Sequence, residues 1–289
     1  MVGSQDHQTM SDRQDRGHPT ALTAAAVQMV SGTDAAANLA AADRLIGRAA
    51  GQGAALVVLP EVFGWLGGGR GERDAIAEPP GDGPIQAFLG EAARRWGVWL
   101  VGGTVLLRSP DGRAHAASLL LDPQGHVAAR YDKIHLFDVS LPDRGETYRE
   151  SDYTCPGTRT VCADAAGARV GLTVCYDVRF PELYRALAKA GAQILTVPSA
   201  FTASTGAAHW DVLLRARAVE NLAFVVAPAQ GGRHPNGRET YGHSAIVDPW
   251  GTVLACRGEP GEGVVLARLD LARQAQRRRR FPVLDHRRL

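Results

Sequence analysis

Cysteine, aromatic residues and long apolar runs are all scarce in this chain of 289 residues. The four cysteines are Cys155, Cys162, Cys175 and Cys256, and no two of them form the CxxC pair of a zinc site or a thioredoxin motif. So few cysteines suit a reducing compartment, which predicts a cytoplasmic location. No stretch approaches the roughly 18 consecutive apolar residues of a membrane-spanning helix, so no membrane partner is predicted.

Neither positive nor negative charge is in large excess. The formal net charge is +2, and charged residues make up 21% of the chain. A local basic run, Arg277–Arg280, has no interleaved aromatic residues for base stacking and is typical of a solvated helix end. No nucleic-acid partner is predicted.

The chain divides unequally. Residues 1–20 are rich in Gln, Asp, Arg, His and Ser, lack the apolar core of a signal peptide, and are predicted to be a disordered leader, with Met1 and Met10 both open as the start. Residues 21–289 show no internal linker or repeat. Strands alternate with helices along this part, which predicts a single α/β domain with mixed sheets. The predicted elements include a strand from Trp99 to Leu106, an antiparallel hairpin of Ala116–Leu121 with Val127–Tyr131, and the helices Pro181–Lys189 and His209–Asn221.

Cys175 is the most informative residue. It follows a short apolar strand, residues 169–174, and precedes a helix that begins near Pro181. A turn from strand to helix exposes a side chain at the carboxyl end of a sheet, where open α/β folds bind ligands. Amides at a helix start stabilise a thiolate or an oxyanion. Most free cysteines are small buried hydrophobes, but this position favours a nucleophile.

Two further strand ends carry charge. The apolar strand Ala55–Leu59 is followed closely by Glu61, and the strand Val127–Tyr131 is followed closely by Lys133. A single charge at a strand end is typical of a solvated surface. The joint pattern of an acid, a lysine and a cysteine, each after a strand, favours one shared site.

The flanking words LPE, YDKIHLF and VGLTVCYDVRFPEL resemble the nitrilase, or carbon–nitrogen hydrolase, superfamily. The resemblance extends from about Ala24 to the C-terminus. It implies a four-layer αββα sandwich with two mixed β-sheets. It also implies the family's Glu-Lys-Cys triad, which corresponds to Glu61, Lys133 and Cys175 here.

This triad implies amide hydrolysis through a cysteine thioester, with water as the second reactant and release of ammonia. Glu61 would act as base, then acid, then base again. Lys133 and the backbone N–H of Tyr176 would stabilise the oxyanion. Glu150 is the expected second carboxylate of the site. The mechanism needs neither a metal nor a cofactor.

Three segments resemble the Nit branch of the superfamily: residues 198–221, residues 229–251 and the terminal RRFPVLDHRR. The word GRHPNGRETYGHS is closer to the deaminated-glutathione amidases of that branch than to its ω-amidases. Such substrates carry a carboxylate or α-keto acid, so the resemblance implies a pocket cation, for which Arg179 is best placed. The other expected pocket residues are Phe201, Thr202, Thr205 and His209.

Other interpretations stay open at this stage. An ω-amidase acting on α-ketoglutaramate, a nitrile hydrolase, and a catalytically inactive scaffold or regulatory subunit are the alternatives. The last of these predicts a broken triad, and all three positions are filled here. Arg215 and Arg217 are expected to form ion pairs, and residues 67–71 a flexible pocket loop. Relatives usually pair through helices near the cysteine and through the C-terminal segment, which predicts a homodimer.

Overall fold

The computed structural model of the chain describes residues 20–67, 70–141 and 146–288. The predicted leader, residues 1–20, therefore lies outside the described residues except for Thr20. Within the described ranges, no helix is both long enough and apolar enough to cross a membrane.

The first sheet has seven strands and is mixed. Its order is β17-β1-β2-β3-β5-β4, with β6 also paired to β5, and only the β1–β2 and β2–β3 pairs are parallel. The strands are β1 (Ala21–Gln28), β2 (Leu56–Val58), β3 (Trp99–Val101), β4 (Val105–Arg108), β5 (Ala114–Leu121), β6 (Val127–Asp132) and β17 (Gly263–Asp270).

The second sheet has six strands in the order β16-β15-β12-β11-β10-β9, and its β10–β11 and β11–β12 pairs are parallel. Its strands are β9 (Val161–Ala165), β10 (Ala168–Leu172), β11 (Ile194–Thr196), β12 (Phe224–Ala227), β15 (Ala245–Val247) and β16 (Val253–Cys256). Two antiparallel ribbons complete the strands: β7 (Asp138–Leu141) with β8 (Glu146–Arg149), and β13 (Gly231–Arg233) with β14 (Glu239–Tyr241).

Helices cover the sheets, and some of them begin directly after a residue whose side chain caps them. The helices are α1 (Ala35–Gly51), α2 (Arg70–Ile76), α3 (Pro84–Trp96), α4 (Pro181–Lys189), α5 (Ala203–Asn221) and α6 (Leu271–Arg280). Before α1, the side chain of Asp34 accepts a hydrogen bond from the N–H of Ala37, and Thr202 does the same for Thr205 before α5. These bonds satisfy N–H groups that have no partner inside the helix.

The layers follow from the alternation of side chains along a strand. On one face of the first sheet, Ala25 of β1 and Val57 of β2 pack with α1 and α3. On the opposite face, Ala24 and Leu56 belong to a second core shared with the second sheet, α4 and α5. The predicted four-layer αββα sandwich with two mixed sheets is confirmed, and the predicted β5–β6 hairpin is present.

Three sequence predictions were wrong in detail. The single strand expected from Trp99 to Leu106 is two strands, because Gly103 has a φ of +51° and packs so tightly on the Pro60 carbonyl that a Cβ would lie 2.0 Å from that oxygen. Helix α5 begins at Ala203 and not at His209, since Thr202 caps it. Part of the expected glycine-rich loop is helical, since α2 starts at Arg70.

Candidate active site

The three residues of the predicted triad meet where strands of both sheets end. Glu61 follows β2 and Lys133 follows β6, both of the first sheet, while Cys175 follows β10 of the second. All three are buried, with relative exposures of 7% for Glu61, 2% for Lys133 and 8% for Cys175. The tight Gly103–Pro60 packing holds the turn that leads to Glu61.

Lys133 lies between two carboxylates. Its Nζ donates to Glu61 Oε1 at 2.8 Å and to both oxygens of Glu150, at 3.0 and 2.8 Å. Glu150 Oε2 also accepts a hydrogen bond from the Phe137 N–H at 2.7 Å. The structure thus brings the predicted second carboxylate, Glu150, directly onto the lysine.

The charges of these groups act on one another. Burial lowers the pKa of Lys133, but the carboxylates of Glu150 and Glu61 raise it by more, so that it lies well above its usual range and the lysine is protonated. Burial raises the pKa of the Cys175 thiol, the Glu61 carboxylate raises it further, and the Lys133 ammonium lowers it. The net direction is a strong rise, so the resting cysteine is a neutral thiol beside a base.

The backbone at Cys175 is unusual. Its φ is +48°, in the left-handed region that residues other than glycine rarely adopt, and its N–H donates to the Pro198 carbonyl at 2.8 Å. A 3₁₀-helix, Cys175–Arg179, starts here, so Tyr176 lies in its first turn. The N–H of Ala200 faces the sulfur and counteracts the rise in its pKa.

A buried aspartate fixes the turn around the cysteine. Asp177 is fully buried and accepts hydrogen bonds from the Tyr131 hydroxyl at 2.7 Å, the Val174 N–H at 2.8 Å, and the N–H and ring Nδ1 of His135 at 3.1 and 2.7 Å. The His135 ring also stacks on Phe180, with centroids 3.7 Å apart. Asp177 therefore joins the segment that carries the lysine to the turn that carries the cysteine.

A pocket opens above these residues. Its wall contains five aromatic rings and three arginines: Phe137, Tyr148, Tyr153, Tyr176 and Phe201, with Arg73, Arg179 and Arg238. The rings of Tyr148 and Tyr176 each lie about 5 Å from that of Phe137 (5.0 and 5.1 Å).

Four of the five predicted substrate-binding residues line this pocket. Arg179, Phe201, Thr202 and Thr205 do so, and the Arg179 guanidinium lies 5.3 Å from the centre of the Phe201 ring. His209 does not line it: the residue is exposed on α5, and its Nδ1 lies 3.2 Å from Arg179 Nη1. The expectation that His209 contacts substrate is corrected to a contact with the arginine.

Sequence reasoning missed several residues of the site. Arg73 lies on α2 and Arg238 on the β13–β14 hairpin, and neither stands in a pattern that indicated a pocket residue. Arg217 forms the expected ion pair, through Nη1 and Glu220, but it is not on the face of α5 opposite the apolar residues as predicted: it is buried, and its Nε donates to the Val178 carbonyl at 2.8 Å. It therefore braces the 3₁₀-helix behind the cysteine.

Comparison with known proteins agrees with this arrangement. The sequence profile described as "Carbon-nitrogen hydrolase" matches residues 23–279. A protein of Synechocystis sp. named deaminated glutathione amidase is 44% identical over 91% of this chain and 97% of its own length.

Two solved structures share the fold. The NitFhit protein of C. elegans has a TM-score of 0.86 and 39% identity, and the match covers 93% of this chain and 65% of that longer one. Nit3 of Saccharomyces cerevisiae, described as a member of branch 10 of the nitrilase superfamily, has a TM-score of 0.83 and 31% identity over 93% of this chain and 97% of its own. The chain belongs to the carbon–nitrogen hydrolase family, within the nitrilase superfamily, and is a hydrolase of amide carbon–nitrogen bonds.

Proposed function

We propose that this chain hydrolyses deaminated glutathione, the compound in which the glutamyl amine of glutathione is replaced by a keto group. One observation carries the proposal: the buried Glu61–Lys133–Glu150 cluster lies beside Cys175 at the base of a pocket whose wall holds three arginines. The name of the Synechocystis relative supports the choice of substrate.

The chemistry of this substrate changes the expected product. Its side-chain amide nitrogen belongs to the cysteine of the cysteinylglycine part, so cleavage yields 2-oxoglutarate and cysteinylglycine. Ammonia, the product expected from the sequence, is released only from a primary amide such as α-ketoglutaramate. The pocket must therefore accept a leaving amine that is itself a dipeptide.

Acylation begins with the neutral thiol. Glu61 takes the proton of Cys175 as the sulfur bonds to the amide carbon, so the high thiol pKa is overcome only when substrate is in place. The Lys133 ammonium and the Tyr176 N–H stabilise the oxyanion. Glu61 then gives its proton to the nitrogen as the C–N bond breaks, which leaves a thioester on Cys175.

Deacylation uses the same carboxylate. Glu61 removes a proton from a water molecule, the water oxygen bonds to the thioester carbon, and the C–S bond breaks as the sulfur recovers its proton. Glu150 holds Lys133 protonated and directed at this centre through two bonds of 2.8 and 3.0 Å. One acid–base group thus serves both halves of the reaction.

The keto-acid end of the substrate needs a cation and hydrogen-bond donors. Arg179 supplies the charge, and the hydroxyl groups of Thr202 and Thr205, which lie 2.7 Å apart, supply donors at the same wall. Phe201 stacks beneath the arginine and covers the carbon chain. These four residues are proposed to bind the α-keto carboxylate.

An ω-amidase acting on α-ketoglutaramate would use the same machinery, and the three arginines are the observation that favours the larger, doubly charged substrate. An inactive scaffold is disfavoured, because the acid, the lysine and the cysteine are all present and in contact range.

The test compares wild-type and Cys175→Ala protein on deaminated glutathione and on α-ketoglutaramate. The readout is 2-oxoglutarate, which both substrates yield, with cysteinylglycine and ammonia measured as the separate second products. We expect deaminated glutathione to have the higher kcat/KM, with turnover lost in Cys175→Ala. A higher kcat/KM for α-ketoglutaramate would replace this proposal with the ω-amidase, and no turnover of either would refute both.

We also propose that the chain forms a homodimer through a C-terminal patch made of Val219, Trp250 and Phe281. These apolar side chains are 47%, 55% and 51% exposed, and the rings of Trp250 and Phe281 lie 5.7 Å apart. Exposed apolar groups that cluster in this way mark association surfaces. A single species of monomer mass in light scattering at micromolar concentration would refute the dimer. The cytoplasmic location stays a prediction.

A further inference from the structure

Two arginines of the pocket have donors that the protein leaves unused. The Nε atoms of Arg73 and Arg238 are buried and have no hydrogen-bond partner among the described residues. Both side chains line the pocket that holds Cys175. A buried guanidinium N–H without an acceptor is costly, and both side chains line the pocket, where an anionic ligand would supply a countercharge and acceptors for the other N–H groups.

Aromatic faces and one carbonyl hold these guanidinium groups without neutralising them. Arg73 lies 3.9 Å from the centre of the Tyr153 ring and 5.6 Å from that of Trp65. Arg238 lies 5.6 Å from the Tyr148 ring, and its Nη2 donates to the Ala200 carbonyl at 2.9 Å. Stacking of this kind orients a cation while leaving its edge free for an anion.

The guanidinium groups of Arg73 and Arg238 both act on one neighbour, the Tyr153 hydroxyl. Burial raises the pKa of the Tyr153 hydroxyl, and the guanidinium groups of Arg73 and Arg238 both counteract that rise. Arg179, in contrast, contacts Tyr176, Phe201 and His209, which are different neighbours. Arg179 thus rests on a different set of rings from those that hold Arg73 and Arg238.

The charge of the pocket as a whole suits a dianion. Four cationic side chains line it, and the two carboxylates of Glu61 and Glu150 leave an excess of two positive charges. Deaminated glutathione carries two carboxylates, one on the keto acid and one on the glycine, and no ammonium group. α-Ketoglutaramate carries one carboxylate.

We propose that Arg73 and Arg238 form a second anion subsite, which binds the C-terminal carboxylate of the leaving amine. The inference rests on the proposed function and adds the feature that selects a dipeptide amide over a primary amide. Two residues separate the scissile carbonyl from that carboxylate, a span of about 7 Å in an extended chain. Arg238 is anchored at the carbonyl of Ala200, whose N–H faces the Cys175 sulfur, so one residue links this arginine to the reacting centre.

The test measures binding, so that it does not depend on turnover. Isothermal titration of Cys175→Ala protein compares deaminated glutathione with its glycine methyl ester, which lacks the charge of that carboxylate and carries one added methyl group. We expect the acid to bind about tenfold more tightly than the ester, because a charge-assisted hydrogen bond contributes that much. Adding Arg73→Gln and Arg238→Gln, singly and together, should bring the ratio toward one.

The matched control is Arg44→Gln in the same background. Arg44 lies on α1, pairs with Glu262 and is 62% exposed, so its loss removes a positive charge outside the pocket and should keep the tenfold ratio. Equal binding of acid and ester, or a ratio that both arginine substitutions leave intact, would overturn the subsite. A wild-type enzyme that fails to hydrolyse deaminated glutathione while the binding ratio persists would refute the proposed function and leave the subsite standing.

Discussion

The charged groups at the bottom of the pocket bond to one another, whereas two arginines in its wall rest on aromatic rings. At the base, the carboxylates of Glu61 and Glu150 and the ammonium of Lys133 are almost fully buried and bonded to one another. In the wall, the guanidinium groups of Arg73 and Arg238 are partly exposed, rest on aromatic rings and keep an unused donor.

This difference separates two tasks. Groups that transfer protons must keep a fixed geometry, and mutual bonds in a dry environment provide it. Groups that select a substrate must be oriented and yet unsatisfied until the ligand arrives, since a bond already made inside the protein cannot contribute to binding. Substitutions at the bottom of the pocket should therefore act on the chemical step, and substitutions in its wall on binding.

The largest effect is expected at the base, from Glu61→Gln. Loss of the proton acceptor should lower kcat/KM by about 10³-fold or more. The Cys175 thiol should behave in the opposite way: Glu61 raises its pKa, so removing that negative charge lowers the pKa and increases the thiolate fraction at pH 8. Iodoacetamide alkylation, followed by mass spectrometry, should therefore become faster. A parallel fall in alkylation and turnover would contradict the claim that the Glu61 carboxylate raises the pKa of the thiol, and an unchanged kcat/KM would contradict the assignment of Glu61 as base.

A smaller effect is expected from Asp177→Asn, because Asp177 holds together the two segments that carry Lys133 and Cys175. The NH₂ of the asparagine amide is itself a donor. It would therefore face at least one of the N–H and O–H groups that now donate to Asp177. We expect a loss of about 2 kcal/mol in the free energy of unfolding and a fall in kcat of about tenfold or more. Denaturation in urea and steady-state kinetics check this. Asp164→Asn, at a carboxylate that is 79% exposed, should change neither.

In the wall, Arg179→Gln should act on binding more than on chemistry. The α-keto carboxylate would lose its cation, and KM for deaminated glutathione should rise about tenfold, while Arg179→Lys restores part of the loss. Steady-state kinetics separate KM from kcat. Arg215→Gln is the control, since Arg215 bonds to the Gly251 carbonyl and does not line the pocket. A change in kcat alone would place Arg179 with the reacting groups.

The smallest effect concerns the hairpin that carries Arg238. His234 is buried; its Nδ1–H donates to the Ser31 carbonyl at 2.8 Å, its Nε2 pairs with the Thr240 hydroxyl at 2.7 Å, and burial lowers its pKa. The unfolded chain therefore binds this proton more readily than the folded one. Stability should fall as the pH drops below about 6.5, by roughly 1.4 kcal/mol for each unit of pKa difference. Urea denaturation at pH 7.5 and 5.0 should show a smaller fall in His234→Gln.

The same comparison explains how far the sequence could predict the site. Glu61, Lys133 and Cys175 were predictable because each follows an apolar strand, and strand ends of stacked sheets converge on one edge. Glu150 came from resemblance, and in the structure it accepts a hydrogen bond from Lys133, while its role in catalysis stays a prediction. Arg73 and Arg238 could not be predicted: one lies on a seven-residue helix and the other on a short hairpin, and no periodicity marks either as facing a pocket.

The elements of the fold were predictable where local sequence signals determine them, and not where contacts between distant residues do. Long amphipathic helices such as α4 were predicted to the residue, because apolar spacing and the start at Pro181 agree. The break between β3 and β4 was missed because it depends on contact between Gly103 and the Pro60 carbonyl, residues far apart in sequence. Arg217 was placed on the wrong side of α5, since a buried arginine that bonds a distant carbonyl has the sequence pattern of an exposed one.

The left-handed backbone conformation at Cys175 limits which residues can occupy this position without a cost in stability. At a φ of +48°, glycine is the residue that the main chain would favour, by about 1 kcal/mol. The chain retains a sulfur there, and so a penalty in folding is maintained in every active copy of the enzyme. A change to glycine at this one position would silence the enzyme while it relieved the backbone, so a thermal melt would not report the loss of activity as a loss of stability.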